Sequence, residues 1–386
     1  MNKNIYKIFI YNIIFLILII LLFELLFHSL GFEVKKKYLK PYYGNYEFGR
    51  NTYPKNYFEY SPSIGFDIRP NQEPVYFYSP NGILKIFSNK YGCFDNAQSY
   101  ENYIYLGGDS FVWGYDDYKK TLGVNIEKKL NRKVAKCGVT NTGQMHQYEK
   151  FKKFLKKNNT HPQKIIIGHF SNDLHDDFLF PESIVVDGWL VKNPKNKSEQ
   201  KKIRDNIIEL EENHHNKLNS NLVYYLKNQH WVIYLINNSF TISGLRELRE
   251  FFKKIIEKEK KSELIKETNR NNKIKPSIDK CSYENYNSIN CINKNKEAIN
   301  KFISFSKINN IDFLIILIPK LNDLKNNIDT YENLRFYLDQ NNTDYIDLYK
   351  QIKLSDLDYN KLYNRDTHLS EFGIKFLIEK NIDKLK

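Results

Sequence analysis

The chain has 386 residues, which is enough for one large domain or two smaller ones with a sizeable hydrophobic core. Its formal net charge is +14, and most of the excess lies in a Lys- and Asn-rich region at residues 191–310. Such a region is more typical of a solvated face, and no recognisable nucleic-acid-binding module accompanies it. The composition therefore argues against a nucleic-acid partner.

The N-terminal segment predicts a membrane anchor. Residues 8–27 are almost wholly Ile, Leu and Phe, and no small-residue cleavage site follows them. This stretch has the length that an α-helix needs to cross a bilayer. We expect an uncleaved, single-pass anchor within residues 1–40 rather than a buried core helix. Lys3 and Lys7 precede the span and four lysines follow it at residues 35–40. By the positive-inside rule, these lysines would leave the following domain in the cytoplasm. The charges alone do not decide the orientation, which stays open.

Four cysteines occur, without the paired CxxC spacing that is typical of zinc sites. Cys281 and Cys291 are close enough in sequence to form a disulfide if the domain is exported. Cys93 and Cys137 lie in strand-like or turn contexts and are expected to be buried. The cysteines leave the redox compartment open.

The rest of the chain predicts a lead-in segment at residues 41–102, with a few short strands, and a main α/β domain at residues 103–386. The five strands predicted in that domain are residues 103–106, 134–137, 164–170, 313–318 and 345–348. The helices are predicted at residues 121–130, 147–157, 321–338 and 370–382. Apolar strands separated by helices favour a parallel sheet covered on both faces. Residues 178–292 interrupt this pattern and predict a mostly helical insertion, because they are too many for a structureless loop.

Polar motifs follow four of the five predicted strands. Ser110 follows the first strand, the turn at residues 138–143 follows the second, Asn172 follows the third, and Asp366 with His368 follows the fifth. In open α/β folds the carboxyl ends of parallel strands form the edge at which ligands bind. We therefore expect these residues to meet at one edge of one sheet.

These residues can support nucleophilic catalysis. A serine hydroxyl needs a base, which His368 could provide for Ser110, while Asp366 could orient the imidazole and stabilise its charged form. Candidate oxyanion donors are the backbone N–H of Ser110, a turn N–H near Asn141 or Gly143, and the side-chain amide of Asn172. A Gly-Asp-Ser tripeptide alone is usually a turn, and an Asp two residues before a His is often a helix N-cap. The catalytic interpretation depends on their combination.

The same residues resemble the SGNH (GDSL-type) hydrolase family. Gly-Asp-Ser at residues 108–110 is similar to its nucleophile block, Ser-Asn-Asp at 171–173 to its oxyanion block, and Asp-Thr-His at 366–368 to the block that carries the acid and base. Asn141 stands where the family has a glycine that donates its backbone N–H. The resemblance covers residues 60–177 and 311–386 but not the insertion, and its upstream part is similar to the lead-in of membrane-anchored bacterial members.

That resemblance implies a three-layer α/β/α flavodoxin-like fold of about five parallel strands. It also implies a serine esterase or O-acetyltransferase that acts on acylated carbohydrate or a small ester, and it favours a periplasmic or extracellular domain. No cofactor or metal is expected, although His169, His175, Asp176 and Asp177 lie around Asn172. Trp113 and Tyr115 could line the acyl or sugar pocket or pack in the core.

Three other functions stay open. They are a lipase or small-ester hydrolase, a non-catalytic glycan-binding scaffold subunit, and, ranked last, a basic nucleic-acid or anionic-lipid binder. The sequence also leaves open hydrolysis against transfer, the acyl acceptor, the role of the insertion and the oligomeric state.

Overall fold

The computed structural model describes residues 3–30, 53–79, 81–227, 229–245, 247–249, 289–355, 357–364 and 366–386. The chain divides into two compact units. The first comprises Met1–Tyr43 and Asn216–Lys275, and the second comprises Gly44–His215 and Pro276–Lys386. Each unit is described separately.

The elements are numbered here in chain order. The strands are β1 Phe58–Ser61, β2 Gly65–Ile68, β3 Val75–Ser79, β4 Gly82–Ile86, β5 Ile104–Gly108, β6 Val134–Lys136, β7 Lys164–Phe170, β8 Ser183–Val186, β9 Trp189–Lys192, β10 Asp312–Ile318 and β11 Asp344–Asp347. The helices are α1 Lys3–Ser29, α2 Ser110–Trp113, α3 Leu122–Leu130, α4 Gln144–Asn158, α5 Asp173–Phe178, α6 Lys197–Ser220, α7 Leu222–Lys227, α8 His230–Asn238, α9 Ile289–Asn309, α10 Leu321–Asn326, α11 Glu332–Gln340, α12 Leu348–Lys353, α13 Tyr359–Leu362, α14 Glu371–Lys380 and α15 Ile382–Leu385.

A five-stranded sheet in the order β6-β5-β7-β10-β11 forms the centre of the second unit, and all of its strand pairs are parallel. Counted along the chain, this is the 2-1-3-4-5 order of flavodoxin-like folds. Strands buried on both faces explain the nearly continuous apolar runs in the sequence. The predicted α/β class and the parallel five-stranded sheet are confirmed.

Helices cover both faces of this sheet. Neighbouring residues of a strand point to opposite faces, so the apolar strands need helices on both sides to bury their side chains. On β5, Ile104 and Leu106 join a core cluster with residues of α3, α12 and α14. Tyr105, between them, joins a second cluster with residues of α4 and α9. The arrangement is the predicted three-layer α/β/α sandwich.

One detail of the predicted elements is wrong, and one element was not predicted. The helix predicted at residues 321–338 is two helices, α10 and α11, because Asn327 takes a left-handed conformation (φ 57°) that ends α10. The insertion begins with an antiparallel hairpin, β8–β9, before its helices. Residues 250–288 of the insertion lie outside the described residues, so Cys281 and its predicted pairing with Cys291 do too.

The lead-in segment forms two antiparallel hairpins, β1–β2 and β3–β4. Their aromatic side chains pack in one cluster around Trp113, which is buried and donates its indole N–H to the hydroxyl of Tyr57 at 3.2 Å. Trp113 is therefore a core residue, and of the two open possibilities for it, packing is the one observed.

Cys93 and Cys137 form a disulfide between the lead-in and the end of β6, across a sequence separation of 44 residues. Both residues are fully buried, as expected. The sequence did not predict this pairing, because a cysteine can pair with several partners at such a separation.

We expect the Cys93→Ala/Cys137→Ala variant to unfold with a free energy about 4 kcal/mol below that of the wild type, because the bridge restricts the unfolded chain over this separation. Denaturant titration of the two proteins measures the difference. The single variant Cys93→Ala should lose as much as the double variant, since either change removes the bridge. Equal midpoints for wild type and double variant would contradict this prediction.

In the first unit, α1 carries a window, Ile10–Ser29, that is long and apolar enough to cross a membrane, and none of it is buried. It agrees with the predicted span in position and length.

Candidate active site

Ser110 lies at a sharp turn between β5 and α2. Asp109 caps α2, its carboxylate accepting the backbone N–H of Phe111 at 2.9 Å. Gly108 has a φ of 147°, and a Cβ at this position would stand 2.4 Å from Val112 and 2.8 Å from the carbonyl oxygen of Gly168. Only glycine fits this turn, which places the serine at the carboxyl edge of the sheet.

His368 reaches Ser110 from a loop 258 residues further along the chain. Its Nε2 lies 2.8 Å from Oγ of Ser110. Its Nδ1 lies 3.2 Å from Oδ2 of Asp366, a polar contact that does not meet the geometry of a hydrogen bond. A second contact orders the loop, because the backbone N–H of His368 donates to Oδ1 of Asp366 at 3.2 Å. The three side chains are in contact in the order hydroxyl, imidazole, carboxylate.

Two aromatic rings hold the imidazole of His368. The ring of Tyr115 stacks on it with centroids 4.4 Å apart, and the ring of Phe111 lies 4.5 Å away. Tyr115 therefore borders the site, in contrast to buried Trp113.

The two carboxylates nearest the serine have opposite pKa shifts. Burial acts to raise the pKa of Asp366, but its interactions with His368 outweigh burial and leave that pKa below its ordinary value. Burial raises the pKa of Asp109 to about 6, against the opposing hydrogen bond from Phe111. Oδ2 of Asp109 lies 3.3 Å from the Ser110 hydroxyl, farther than the imidazole nitrogen. At neutral pH Asp366 is thus the carboxylate that stays ionised most firmly beside His368.

Asn172 comes four residues after Gly168, which pairs with Gly108 in the neighbouring strand β5. Its amide nitrogen donates to Oδ2 of Asp176 at 2.8 Å, and its Oδ1 is buried without a hydrogen-bond partner. Asp176 therefore fixes the orientation of this amide at the edge of the sheet that carries Ser110.

The turn after β6 lies on the other side of β5, where the N–H of Val139 donates to the carbonyl of Gly108 at 2.9 Å. Asn141 in this turn has a φ of 57°, a conformation that asparagine tolerates better than most residues. A Cβ at Gly143 would stand 2.4 Å from Oδ1 of Asp177. Within the described parts of the chain, no hydrogen bond joins Asn141, Gly143 or Asn172 to Ser110.

A buried polar network, which sequence reasoning did not find, lies behind these turns. Asp177 accepts the N–H of Met145 at 2.7 Å and the amide of Asn295 at 2.7 Å. Asn295 in turn contacts Nε2 of His169 at 3.0 Å. The network joins the start of α4, α5, α9 and the end of β7. Burial raises the pKa of Asp177 to about 8 and holds the pKa of Asp173 well above its ordinary value.

The raised pKa of Asp177 predicts a pH-dependent stability. Between its unfolded pKa near 3.8 and its folded pKa of about 8, the folded chain holds a proton that the unfolded chain has released. The stability of the wild type relative to Asp177→Asn should therefore fall as pH rises through this window, by at most about 1.4 kcal/mol per pH unit. Urea titrations of both proteins at pH 5, 6, 7 and 8 measure this difference, in which titrating groups that do not interact with Asp177 cancel. A difference that is constant with pH would contradict it.

One group of side chains could hold a cation. His175, Asp176 and Glu182 place their ligand atoms within 4.8 Å of one another. The sequence analysis named a different set around Asn172, which included His169 and Asp177. In the structure these two residues belong to the network with Asn295. The chemistry derived below does not require an ion there.

No family model matches the chain, and no curated protein matches it. Among solved structures, a member of the lipolytic protein G-D-S-L family from Veillonella parvula DSM 2008 matches with 11% identity and a TM-score of 0.35, covering 73% of this chain and 96% of its own. A protein assigned to the G-D-S-L lipolytic family from Desulfitobacterium hafniense DCB-2 matches with 10% identity and a TM-score of 0.37, over 74% and 100%. A protein assigned as an acylhydrolase from Bacteroides fragilis NCTC 9343 matches with 11% identity and a TM-score of 0.34, over 76% and 90%.

Proposed function

We propose that this protein is a serine-dependent acyl-ester hydrolase or O-acyltransferase, with Ser110 as nucleophile, His368 as base and Asp366 as the orienting carboxylate. The observation that carries this proposal is the 2.8 Å contact between Ser110 Oγ and His368 Nε2, with Asp366 at the other imidazole nitrogen. A neutral imidazole at this distance can take the hydroxyl proton as the oxygen attacks.

The reaction proceeds in two halves. In the first, Nε2 of His368 takes the proton of Ser110, Oγ attacks the acyl carbonyl, and the protonated imidazole returns the proton to the departing alcohol. In the second, His368 takes a proton from water or a sugar hydroxyl, whose oxygen attacks the acyl-serine, and the proton returns to Oγ. Asp366 stabilises the imidazolium in both halves. Water as acceptor gives hydrolysis, and a sugar hydroxyl gives transfer.

Charge on the carbonyl oxygen requires donors, for which we propose the N–H of Ser110, a backbone N–H at Asn141 or Gly143, and the amide of Asn172. An amide nitrogen carries two hydrogens, so that of Asn172 can serve Asp176 with one and the oxyanion with the other. The φ of Asn141 supports a backbone role, because this residue keeps the left-handed conformation that glycine adopts readily.

The Asn172→Ala variant is expected to lose about 10²–10³-fold in kcat with little change in KM, because this donor acts on the developing charge. Asn141→Gly is the matched control. It removes a side chain but keeps the backbone N–H and the φ, so its kcat should stay within a few-fold of the wild type. Steady-state kinetics of both variants on one soluble ester test the pair, and an Asn172→Ala variant as active as wild type would contradict the assignment.

We propose that α1 anchors the protein and that the catalytic unit faces the periplasm or the cell exterior. The lysines around the span favour the opposite side, but the buried Cys93–Cys137 disulfide supports an oxidising compartment. An alkaline phosphatase fusion after Lys386 tests the orientation, since that reporter is active only when exported.

For the substrate we propose acetyl groups on cell-envelope or secreted carbohydrate, as the similarity to anchored family members implies. The test measures acetate release from O-acetylated polysaccharide, acetyl transfer to deacetylated polysaccharide, and cleavage of long-chain nitrophenyl esters by full-length protein in detergent. Preference for long-chain esters would indicate a lipase instead. Absence of all turnover, with full complementation of a deletion strain by Ser110→Ala, would indicate a non-catalytic glycan-binding scaffold.

A further inference from the structure

The first unit exposes an apolar surface on a part of the insertion. This surface, which we call the apolar segment, belongs to residues 222–248 on α7, α8 and a helical segment that begins at residue 240. Six of its large apolar side chains are more than half exposed: Leu222, Val223, Trp231, Leu235, Leu245 and Leu248. A soluble protein rarely leaves so many large apolar groups in water along one short stretch, so the surface indicates an apolar partner.

A carboxylate of α1 contacts the same stretch. Glu24, the only acidic residue of the apolar window Ile10–Ser29, accepts the hydroxyl of Ser239 at 2.7 Å and the backbone N–H groups of Phe240 and Thr241 at 2.8 Å each. These N–H groups are the first of the helical segment that begins at residue 240, so Glu24 caps that helix from α1. The ring of Phe240 also packs 5.4 Å from the ring of Phe27.

This contact fixes the depth of the helix start relative to the span. Glu24 lies five residues before Ser29, which corresponds to about 7 Å along a helix axis. In hydrocarbon a carboxylate is costly unless it is hydrogen-bonded, and the first N–H groups of a helix equally need an acceptor. The cap satisfies both groups at one depth, as placing both helices within the membrane there would require.

We propose that the apolar segment is a second membrane-embedded element, which dips into the bilayer beside the C-terminal end of α1 and contacts lipid acyl chains. This proposal rests on the anchor role of α1 but not on the chemistry of Ser110. Leu222, Trp231 and Leu245 face the lipid, and Glu24 holds the start of the last helix below the interface. Of these two elements, α1 spans the membrane and the apolar segment enters one leaflet.

The test uses full-length protein in phosphatidylcholine vesicles, with lipids brominated in the acyl chains as quenchers of tryptophan fluorescence. We expect brominated lipid to quench the wild type more than the Trp231→Phe variant, because Trp231 lies among acyl chains while Trp113 and Trp189 are buried in the second unit. Identical fractional quenching of wild type and Trp231→Phe would overturn the proposal.

A second variant isolates the cap. Glu24→Leu makes α1 more apolar, so anchoring by α1 can only strengthen, whereas the hydrogen bonds from the helix start to α1 are lost. The local cap is kept, because the hydroxyl of Ser239 still accepts the N–H of Ile242 at 3.1 Å. We expect the Trp231 contribution to quenching to fall by half or more, and an unchanged contribution would show that Glu24 does not hold the segment.

Flotation of the vesicles and turnover of a soluble acetyl ester are measured in parallel. Loss of flotation by all proteins would show that α1 is no anchor and would overturn this proposal together with the proposed anchor. Loss of turnover alone would contradict only the proposed chemistry.

Discussion

Replacing Ser110 by alanine is expected to lower kcat/KM for ester cleavage by at least about 10³-fold and to abolish labelling by a fluorophosphonate probe. The hydroxyl stands 2.8 Å from the only imidazole in contact with it among the described residues, and alanine offers no atom to form the acyl-enzyme. Removing the nucleophile of such a group leaves only what binding and oxyanion donors contribute, so losses of about 10³–10⁶-fold are typical.

Ser370→Ala is the matched control for this variant. Ser370 lies two residues after His368 and caps α14, its hydroxyl accepting the N–H of Gly373 at 3.1 Å. Loss of that cap should cost about 1 kcal/mol of stability while labelling and turnover persist. If Ser110→Ala kept wild-type turnover, or if Ser370→Ala lost labelling equally, Ser110 would not be the nucleophile.

Replacing Asp366 by asparagine is expected to lower kcat by on the order of 10⁴-fold, the loss seen when a triad carboxylate becomes an amide. Asp366 lies 3.2 Å from Nδ1 of His368 and has a lowered pKa, so it carries its charge throughout the neutral range. An amide of equal size keeps the packing but neither stabilises an imidazolium nor selects the same tautomer.

A double-variant cycle separates this role from a structural one. The proposed role of Asp366, which acts through His368, predicts that the combined Asp366→Asn/His368→Ala variant is no slower than His368→Ala alone. Losses that multiply in the double variant would mean that Asp366 acts independently of the imidazole. Thermal unfolding of each variant checks that the fold is retained.

Much of the sheet could be predicted because its strands are buried on both faces. The observed β7, Lys164–Phe170, has the predicted bounds, and the other four strands lie within two residues of theirs. The positions of Ser110 and His368 followed from the same rule, since residues after parallel strands meet at one edge. Their contact could not be predicted in the same way, because β7 and β10 lie between β5 and β11, and the loop that carries His368 brings it back to Ser110.

Other features of the structure were not predicted from the sequence. Asn295 and Asp177 are 118 residues apart, and a hydrogen bond between distant buried side chains leaves no periodic pattern in the sequence. The hairpin β8–β9 did leave a signal that the helical interpretation overlooked. Asp187 and Gly188, both with positive φ, form its two-residue turn between β-branched and aromatic residues, a combination typical of a tight hairpin.

The most direct test of the proposed chemistry is intact-protein mass spectrometry of the full-length protein after brief reaction with an activated acetyl ester, followed by peptide mapping. We expect one added acetyl group on the peptide that contains Ser110, absent in Ser110→Ala. Ester turnover without any adduct on Ser110, or with the adduct on another residue, would contradict an acyl-enzyme at this serine.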